Sequence, residues 1–362
     1  MSYPKVSIII PIYGVADYIS NCLDSIIAQD YKNMEVLLIN DCTPDDSILI
    51  AKQIIAIYEG PIEFKIINHQ TNQKQAAARN TGIRNASGEF LFFLDSDDKL
   101  SPNAISSLVN EAIASGADVT TANRKAIDWE TGKTYKMLEG DYPRLRVTHI
   151  DLAKNIQIHG TAWNKLIRRD FVVKNKLYFK ERIVYEDDLW MFQLYCCRPS
   201  FSCITDITYT YYIRHSSTMQ TFSEHHLLSR IVVAQEAIAY LPQVNREMLA
   251  YACWSAENFR QGALISCLTN VKGLASYGRI YEYLYRYDID YKNYMSSKYI
   301  TWTAKLRFLG NTMPSRIGKW WNLLFIRIML WKDRHNYPYL IKNKIHLSSS
   351  FWNNLRENGI GR

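Results

Sequence analysis

The chain has 362 residues, of which 48% are apolar and 22% are charged. This is the composition of a folded globular protein, and it excludes a disordered or collagen-like chain. No run of 18 apolar residues occurs, so no segment is expected to span a membrane.

The length allows two domains. The seven cysteines are odd in number and lack the spacing of metal ligands, so they are expected to be reduced thiols of a cytosolic protein. The first predicted strand begins after only five residues, and no signal peptide is expected.

The first hundred residues alternate between short apolar runs and amphipathic helical patterns. The run from Val6 to Ile12 is rich in β-branched residues and nearly continuous, as in a buried parallel strand. Asp17 is expected to cap the first helix. The alternation predicts an α/β fold with a parallel, doubly wound sheet. The predicted strands are 6–12, 35–40, 64–67 and 90–94, and the predicted helices are 17–29, 46–58 and 75–86.

Clustered acids follow the fourth predicted strand. The apolar run of residues 90–94 leads directly into Asp95, Asp97 and Asp98. Clustered negative charge at a buried strand end is unfavourable unless it is neutralised, and Mg²⁺ or Mn²⁺ bound with substrate phosphates is one way to neutralise it. The alternative is a solvated acidic turn that caps the next helix.

Ligands of open α/β sheets bind at the carboxyl ends of the strands. Pro11 and Tyr13 end the first strand, and Asp41 follows the second. Tyr13 could stack on a base, and Asp41 could accept from a base imide or a ribose hydroxyl. Arg79, near a helix start, could contact a diphosphate. No G-x-G-x-x-G or Walker A pattern occurs, which disfavours a dinucleotide dehydrogenase or a P-loop NTPase.

The second hundred residues contain a helix predicted at 102–115, a strand at 118–122 and a polar stretch to about residue 142. Trp163, Asn164 and Lys165 combine an aromatic, an amide and a cation, as sugar and phosphate sites often do. Residues 186–190 place three acids before a tryptophan at a helix start. They can be a first turn that the helix dipole favours, or they can hold a general base beside an aromatic platform.

Six spaced motifs occur in the order found in family 2 glycosyltransferases, and the sequence resembles that family over residues 4–220. The resemblance is specific because all six match, and it extends to bacterial enzymes that build capsule, exopolysaccharide or O-antigen. The motifs lie at residues 6–13, 40–41, 78–80, 95–98, 163–166 and 186–187.

The resemblance implies a GT-A fold, a Rossmann-like and mostly parallel sheet flanked by helices, and an inverting reaction with a nucleotide-sugar donor, usually UDP-linked. The implied catalytic domain is 1–222, with a nucleotide-binding half at about 1–115 and an acceptor half at about 116–222. The second motif departs from the family, because Cys42-Thr43-Pro44 replaces the commoner Gly-Ser-x. A reshaped base pocket is expected there.

The resemblance also implies roles for individual residues. Asp187 is the implied catalytic base, which takes the proton of the acceptor hydroxyl during in-line attack. The implied donor contacts are Pro11, Tyr13, Asp41, Arg79, Asp95 and Ser96, and the implied ligands of Mn²⁺ or Mg²⁺ are Asp95, Asp97 and Asp98. The candidates for acceptor or sugar contact are Trp163, Asn164, Lys165, Glu186, Asp188 and Trp190.

Two other classes remain open from the residues. A nucleotidyltransferase shares metal carboxylates and nucleotide binding, but it needs a phosphate-binding loop near the first strand, and none is visible. A non-catalytic carbohydrate-binding relative would usually lack an acid, yet Asp95, Asp97, Asp98 and Asp187 are all present. Nothing in the sequence indicates nucleic-acid binding.

Residues 223–362 read as a helical extension. The stretch from Thr301 to Arg362 contains 11 Lys and Arg against 2 acids, so the net charge of +8 belongs to this tail. A helical wheel of residues 315–331 predicts one apolar face, with Arg316, Lys319, Asn322 and Arg327 opposite. The residues of the apolar face are Ile317, Trp320, Trp321, Leu324, Phe325, Ile328 and Met329.

This pattern predicts a helix in the interface of a membrane, with a core-facing helix or a dimer contact as the alternative. A cytoplasmic enzyme peripherally attached to the inner face of the cytoplasmic membrane is therefore expected, together with a lipid-linked saccharide acceptor.

Overall fold

The computed structural model describes residues 3–135, 144–147, 160–214, 222–286, 302–332 and 344–357, together with positions 289, 292, 295 and 300. The chain forms two compact units. The first contains Met1–Arg182 and Cys197–Gln220, and the second contains Ile183–Cys196 and Thr221–Arg362. The helix that begins at Glu186, which the sequence analysis places in the catalytic domain, therefore belongs to the second unit.

The first unit contains a mixed ten-stranded sheet whose central path has the order β3-β2-β1-β4-β9-β6-β10-β5, with β7 paired to β6 and β8 paired to β10. The strands are β1 (Val6–Ile12), β2 (Met34–Asn40), β3 (Glu63–Asn68), β4 (Phe90–Phe93), β5 (Lys99–Leu100), β6 (Val119–Asp128), β7 (Thr134–Tyr135), β8 (Leu145–Val147), β9 (Lys165–Arg168) and β10 (Phe201–Ile213).

The principal strands of the sheet end at one edge. β1 pairs in parallel with β2 and β4, β2 pairs in parallel with β3, and β6 pairs in parallel with β10. β9 is antiparallel to both β4 and β6, so β6 runs in the same direction as β4. The loops that follow β1, β2, β4, β6 and β10 consequently share the carboxyl edge of the sheet, and the expected mostly parallel α/β fold is confirmed.

The helices of this unit are α1 (Ile19–Ile27), α2 (Ser47–Ala56), α3 (Lys74–Asn85), α4 (Ala104–Ser115) and α5 (Arg169–Lys174). The predicted Asp17 cap is wrong, because α1 follows Tyr18 and no side chain caps it. Helix α3 approaches β1 closely: a Cβ at Gly82 would lie 2.2 Å from Ile9 Cγ2. Glycine at this position therefore allows the helix to pack against the strand.

Strand β6 is longer than the predicted 118–122. The part beyond the predicted end begins with Asn123 and Arg124, which are polar but buried, and the strand pairs with β10 along its length. Asn123 Nδ2 donates to the Thr205 carbonyl at 3.0 Å. Polar residues that are satisfied by the neighbouring strand interrupt the apolar pattern, so the sequence pattern ends too early.

The second unit is helical. Its helices are α6 (Glu186–Cys196), α7 (Glu224–Tyr240), α8 (Leu249–Asn270), α9 (Leu274–Leu284), α10 (Trp302–Phe308), α11 (Ser315–Lys332) and α12 (Ser349–Glu357). Within the ranges given above, no helix is long and apolar enough to cross a bilayer.

Helix α11 has a packed face and an exposed apolar face. Asn322, Leu323 and Ile326 are buried. The side chains that we call the exposed stripe recur at helical spacing and are between 46% and 63% exposed. They are Ile317, Trp320, Leu324, Ile328 and Trp331.

The helical wheel is wrong about Asn322, which it places on the polar outer face. Asn322 Oδ1 accepts from Gln261 Nε2 at 2.6 Å, and Asn322 Nδ2 donates to Asn311 Oδ1 and to the Gly318 carbonyl, each at 3.0 Å. The amide is a buried link between α11 and α8. A wheel cannot detect this, because it treats every polar residue as solvent-facing.

We predict that Asn322→Ala lowers the free energy of unfolding by about 1–3 kcal/mol, because buried amide partners lose their hydrogen bonds. Arg327→Ala, at an exposed position of the same helix, should change it by less than about 0.5 kcal/mol. Urea denaturation measures both values. Equal effects of the two substitutions would contradict the packing of α11 described here.

Candidate active site

Three predicted site segments meet at the carboxyl edge of the sheet. Tyr13 follows β1 and is half exposed, Asp41 follows β2, and Asp95 lies just after β4. Backbone hydrogen bonds join these strand ends, from Asp41 N to the Ile12 carbonyl at 3.0 Å and from Leu94 N to the Ile9 carbonyl at 3.1 Å. Pro11 is buried within β1, next to the last residue of the strand.

Asp41 organises the loop that leads into α3. Its Oδ1 lies 2.8 Å from His69 Nδ1 and accepts from Gln73 N at 2.8 Å, and its Oδ2 accepts from Lys74 N at 2.7 Å. The side chain is only 2% exposed. The loop therefore occupies three of the roughly four acceptor positions of the carboxylate. Asp41 therefore holds in place the loop that borders the expected base position.

Two residues at this edge have left-handed backbones, Cys42 with φ 56° and Lys74 with φ 73°. Such conformations favour glycine, which explains the glycine that the family commonly has where this chain has Cys42. This chain therefore keeps the left-handed turn, and Cys42 adds an exposed thiol to it. Lys74 Nζ lies 6.0 Å from the centroid of the Tyr13 ring, so a cation borders the expected base position.

Arg79 positions Asp95. The guanidinium is 1% exposed, and its Nη2 donates to Asp95 Oδ1 at 2.9 Å. Gln75 Nε2 donates to the same oxygen at 3.0 Å. Sequence reasoning interpreted Arg79 as a direct diphosphate contact, but its burial favours a role in orienting the Asp95 carboxylate.

The acids after Asp95 occupy different environments. Asp97 is partly exposed and forms an ion pair with Arg214, just after β10. Burial and the neighbouring Asp95 raise the pKa of Asp97 to about 6, against the lowering effect of Arg214. Ser96, the other expected donor contact in this turn, is buried.

Asp98 is directed into the protein. Its Oδ2 accepts from the Tyr209 hydroxyl at 2.7 Å, and its Oδ1 accepts from Tyr212 N at 2.9 Å. Burial, reinforced by Asp97 and Asp95, raises the pKa of Asp98 well above its usual range. Across the residues that the structure describes, no three acidic, histidine or cysteine side chains form a metal-binding group. Asp98 is therefore enclosed, and of the three expected metal ligands only Asp95 and Asp97 remain partly accessible at the edge.

The predicted acceptor residues at 163–165 are buried. Trp163 stacks on Tyr209 and Tyr211, with ring centroids 4.6 and 5.8 Å apart. Asn164 Nδ2 donates to the Ala122 carbonyl at 2.8 Å, and Lys165 Nζ donates to the Thr161 carbonyl at 2.6 Å. These contacts fix the segment that leads into β9 against β6 and β10. The interpretation of these residues as an acceptor surface is corrected accordingly.

An aromatic group that the sequence analysis missed lies at the same edge. Trp129, which follows β6, packs edge-to-face against Tyr18 and Tyr212, at centroid distances of 4.7 and 5.0 Å. The Arg214 guanidinium lies 4.8 Å from the Tyr18 ring centroid, and this links the group to Asp97. All three rings are half-buried. The sequence gives one signal for this group: each of the three aromatic residues lies near the end of, or in the loop after, a strand that runs in the common direction.

The second unit carries the expected base at the start of α6. Glu186 is buried, and Asp187 and Asp188 are half-buried in the first turn. Burial and the charge of Asp187 raise the pKa of Asp188 to about 6, against the lowering effect of Arg230. Trp190 is fully buried, so the expected aromatic platform beside the acids is not formed by this residue.

Comparison with known proteins identifies the class. The family model "Glycosyl transferase family 2" matches residues 7–175. The chain is 30% identical over 253 residues to EpsH of Bacillus subtilis (strain 168), a protein assigned to the glycosyltransferases, and the match covers 68% of this chain and 72% of EpsH. The chain belongs to the family 2 glycosyltransferases, which overturns the nucleotidyltransferase alternative.

Two further relatives extend the similarity into the second unit. The cholesterol galactosyltransferase of Borreliella burgdorferi is 25% identical over 315 residues, which cover 77% of this chain and 86% of the relative. The crystal structure of S. aureus TarS 1-349 with UDP-GlcNAc has a TM-score of 0.62 at 18% identity and covers 92% of both chains. The fold is therefore GT-A with C-terminal helices, as the sequence predicts.

We predict that Cys42→Gly raises the free energy of unfolding by about 1 kcal/mol, because glycine adopts the left-handed backbone without steric cost. Cys42→Ala, which keeps the strained backbone, should leave stability nearly unchanged. Urea denaturation at constant pH distinguishes the two variants. A loss of stability in Cys42→Gly would show that the thiol makes contacts that outweigh the backbone cost.

Proposed function

We propose that this enzyme transfers a sugar from a nucleotide diphosphate donor, most simply a UDP-sugar, to a hydroxyl of a lipid-linked saccharide, with inversion at the anomeric carbon. The observation that carries this proposal is the meeting of Tyr13, Asp41 and the Asp95–Asp97 pair at one sheet edge. The binding of UDP-GlcNAc by TarS, which shares the fold, supports the choice of a UDP donor.

The proposed donor site follows the order of the strands. Tyr13 and the loop held by Asp41 border the base, and Lys74 adds a positive charge beside them. Asp95, oriented by Arg79, faces the ribose and diphosphate region. Carboxylates next to a diphosphate repel it, so the site needs additional positive charge when the donor binds.

The residues fit a divalent cation. Asp95 and Asp97 supply hard oxygen donors, and Mg²⁺ or Mn²⁺ commonly binds one or two carboxylates together with substrate phosphates. Burial and Asp95 together penalise the ionised form of Asp97, and a cation would remove that penalty. Mn²⁺ or Mg²⁺ held by Asp95 and Asp97 would supply Lewis-acid stabilisation of the departing diphosphate.

The proposed base is Asp187. Its carboxylate takes the proton of the acceptor hydroxyl while the hydroxyl oxygen forms a bond to the anomeric carbon. The bond from that carbon to the donor phosphate oxygen breaks, and the nucleoside diphosphate leaves with the electron pair. A single displacement inverts the anomeric centre and requires no covalent intermediate with the enzyme.

The proposed membrane attachment is supported by the exposed stripe. Arg316 and Arg327 are exposed beside it on α11, where they can reach anionic headgroups while the apolar side chains enter the interface. Trp302 and Leu306 on α10 add exposed apolar surface. A relative that acts on cholesterol, a membrane lipid, also supports an acceptor at a membrane surface. The proposed surface is the anionic inner face of the cytoplasmic membrane, and the exposed arginines support this choice.

We predict that EDTA abolishes hydrolysis of UDP-GlcNAc and that Mn²⁺ or Mg²⁺ restores it. Asp97→Asn should weaken Mn²⁺-dependent UDP binding about tenfold or more, a loss of about 1.4 kcal/mol, with little effect on stability. Asp98→Asn is the matched control, and it should lower stability because Asp98 accepts from Tyr209 and Tyr212. Isothermal titration with UDP and thermal melting measure the two effects.

Full activity in EDTA would contradict the metal proposal, and the absence of hydrolysis with every nucleotide sugar would favour a non-catalytic relative.

We predict that Asp187→Asn lowers kcat by roughly 10²-fold or more, because it retains the shape of the side chain and removes its basicity. The Kd for the donor should stay within a few-fold. Asp188→Asn, on the next residue of the same turn, should lower kcat far less. A normal turnover rate combined with lost UDP binding in Asp187→Asn would assign the residue to the donor site.

We predict that the wild-type protein sediments with vesicles containing anionic lipid, and that high salt releases only part of it. Each Lys or Arg near the surface contributes about 1 kcal/mol that salt screens, whereas the apolar contribution persists. Replacing Trp320, Leu324 and Ile328 by Ser should abolish sedimentation and leave hydrolysis of the donor intact. Ile57→Ser, at an exposed apolar position of the first unit, is the control and should change neither property. Loss of hydrolysis in the triple variant would indicate that α11 supports the catalytic fold instead.

A further inference from the structure

A groove lies between helices α9 and α11 of the second unit and has a volume of about 340 Å³. It opens next to the exposed stripe, because Trp320 belongs to both, and Leu274 at its rim is also largely exposed. Its other lining residues are Ala275, Tyr277, Gly278, Arg279, Glu282, Lys319 and Leu323.

The polar side of the groove has an excess of positive charge, with two cations against one carboxylate. Arg279 stacks on the Trp352 ring, with its Cζ 3.5 Å from the ring centroid, which holds the guanidinium plane in place and leaves its edge for an anion. Lys319 Nζ lies 3.2 Å from Glu282 Oε1 at an exposed position, and the Tyr277 hydroxyl donates to the Lys319 carbonyl at 3.2 Å. The groove therefore offers one fixed guanidinium and a second cation, Lys319, beside an apolar wall.

Gly278 keeps the groove open. A glycine in a helix interior is less stable than alanine, so its presence in α9 needs a reason. At Gly318 of α11 the reason is packing, because a Cβ there would lie 2.2 Å from the Gly310 carbonyl oxygen. At Gly278 a Cβ would meet only Lys319, at 3.7 Å from Nζ and 3.8 Å from Cδ, which is ordinary contact. Packing therefore does not require glycine at 278, and a larger side chain there would project towards Lys319.

We propose that this groove binds the headgroup of one anionic phospholipid, with its phosphodiester between Arg279 and Lys319. The acyl chains would pass Leu274 and Trp320 to reach the exposed stripe. An amphipathic groove with a cationic wall next to an apolar surface matches a lipid, which joins an anion to apolar chains. This inference rests on the proposed membrane attachment and assigns it a specific lipid contact.

The first experiment uses soluble lipid, so that it does not depend on membrane binding. Dihexanoyl phosphatidylglycerol, below its micelle concentration, is titrated into the full chain and followed by the fluorescence of the tryptophans. Dihexanoyl phosphatidylcholine and inorganic phosphate are titrated in parallel. We expect saturable binding of phosphatidylglycerol that is at least about tenfold tighter than binding of either comparison ligand, equivalent to about 1.4 kcal/mol.

Variants at position 278 test the location of the site. Gly278→Leu should weaken phosphatidylglycerol binding about tenfold or more by filling the groove, whereas Gly278→Ala, which adds one methyl group, should weaken it far less. Arg279→Gln should weaken binding by removing a cation, without filling the groove. Thermal melting identifies any variant that does not fold, and Arg279→Gln then decides the outcome. Equal affinity of the wild type, Gly278→Leu and Arg279→Gln for phosphatidylglycerol would overturn the proposal. Binding of phosphate as tight as binding of the lipid would also overturn it.

Vesicle sedimentation separates this proposal from the membrane attachment on which it rests. Gly278→Leu should still sediment with vesicles through the exposed stripe. Its preference for phosphatidylglycerol over phosphatidylcholine vesicles should be smaller than that of the wild type, because only the arginines beside the stripe then contribute to it. Wild-type protein that sediments equally with both kinds of vesicle would overturn the groove proposal and the role of the arginines, and it would leave only the apolar part of the attachment. Wild-type protein that binds the soluble lipid but no vesicle would overturn the attachment and support the groove.

Discussion

Neutralisation of the carboxylates after β4 is the constraint on which the first unit depends. Three aspartates follow within five residues of a fully buried strand, and each has a different partner: Arg79 for Asp95, Arg214 for Asp97, and Tyr209 with Tyr212 for Asp98. These partners come from α3, the end of β10 and β10 itself. Through these partners the acids tie the end of β4 to α3 and to β10.

This division of partners explains how one short motif serves two purposes. Asp98 is fully enclosed and stabilises the sheet, whereas Asp95 and Asp97 remain partly accessible at the edge. A carboxylate that is oriented by a buried guanidinium has a fixed direction before any ligand binds. Such preorganisation lowers the cost of binding a charged donor, because the protein does not reorganise when the ligand arrives.

The second unit buries a network of polar side chains and exposes an apolar surface. Glu257 and Arg260 of α8 are buried with Gln261, and the Tyr285 hydroxyl donates to Glu257 Oε1 at 2.7 Å. Asn322 extends this network to α11, and its amide geometry specifies how α11 packs. The direction of the exposed stripe follows from that packing, because the face of α11 that binds the network cannot also face solvent. The packing of α11 therefore determines that its apolar stripe is exposed.

Several sequence interpretations changed for a common reason. Trp163, Lys165 and Trp190 resemble site residues in the sequence, and the structure buries all three. Trp163 is enclosed by aromatic residues of β10, more than forty positions away, and this arrangement is not visible in local sequence. The group formed by Tyr18, Trp129 and Tyr212 was missed for the converse reason, since its members are distant in sequence and meet only because β1, β6 and β10 end at one edge.

The sequence by itself determined the α/β class, the order of the strands and helices in about the first 115 residues, and the sheet edge at which the candidate site residues meet. These features follow from continuous apolar runs and helical periodicity, which are local properties of the chain. The tertiary structure alone decided which acids remain accessible, that Arg79 orients Asp95, that Asn322 faces inward, and that α9 and α11 enclose a groove. Each of these depends on partners far away in sequence, such as Tyr209 for Asp98 at a separation of 111 residues, and burial is a property of such partners rather than of the residue.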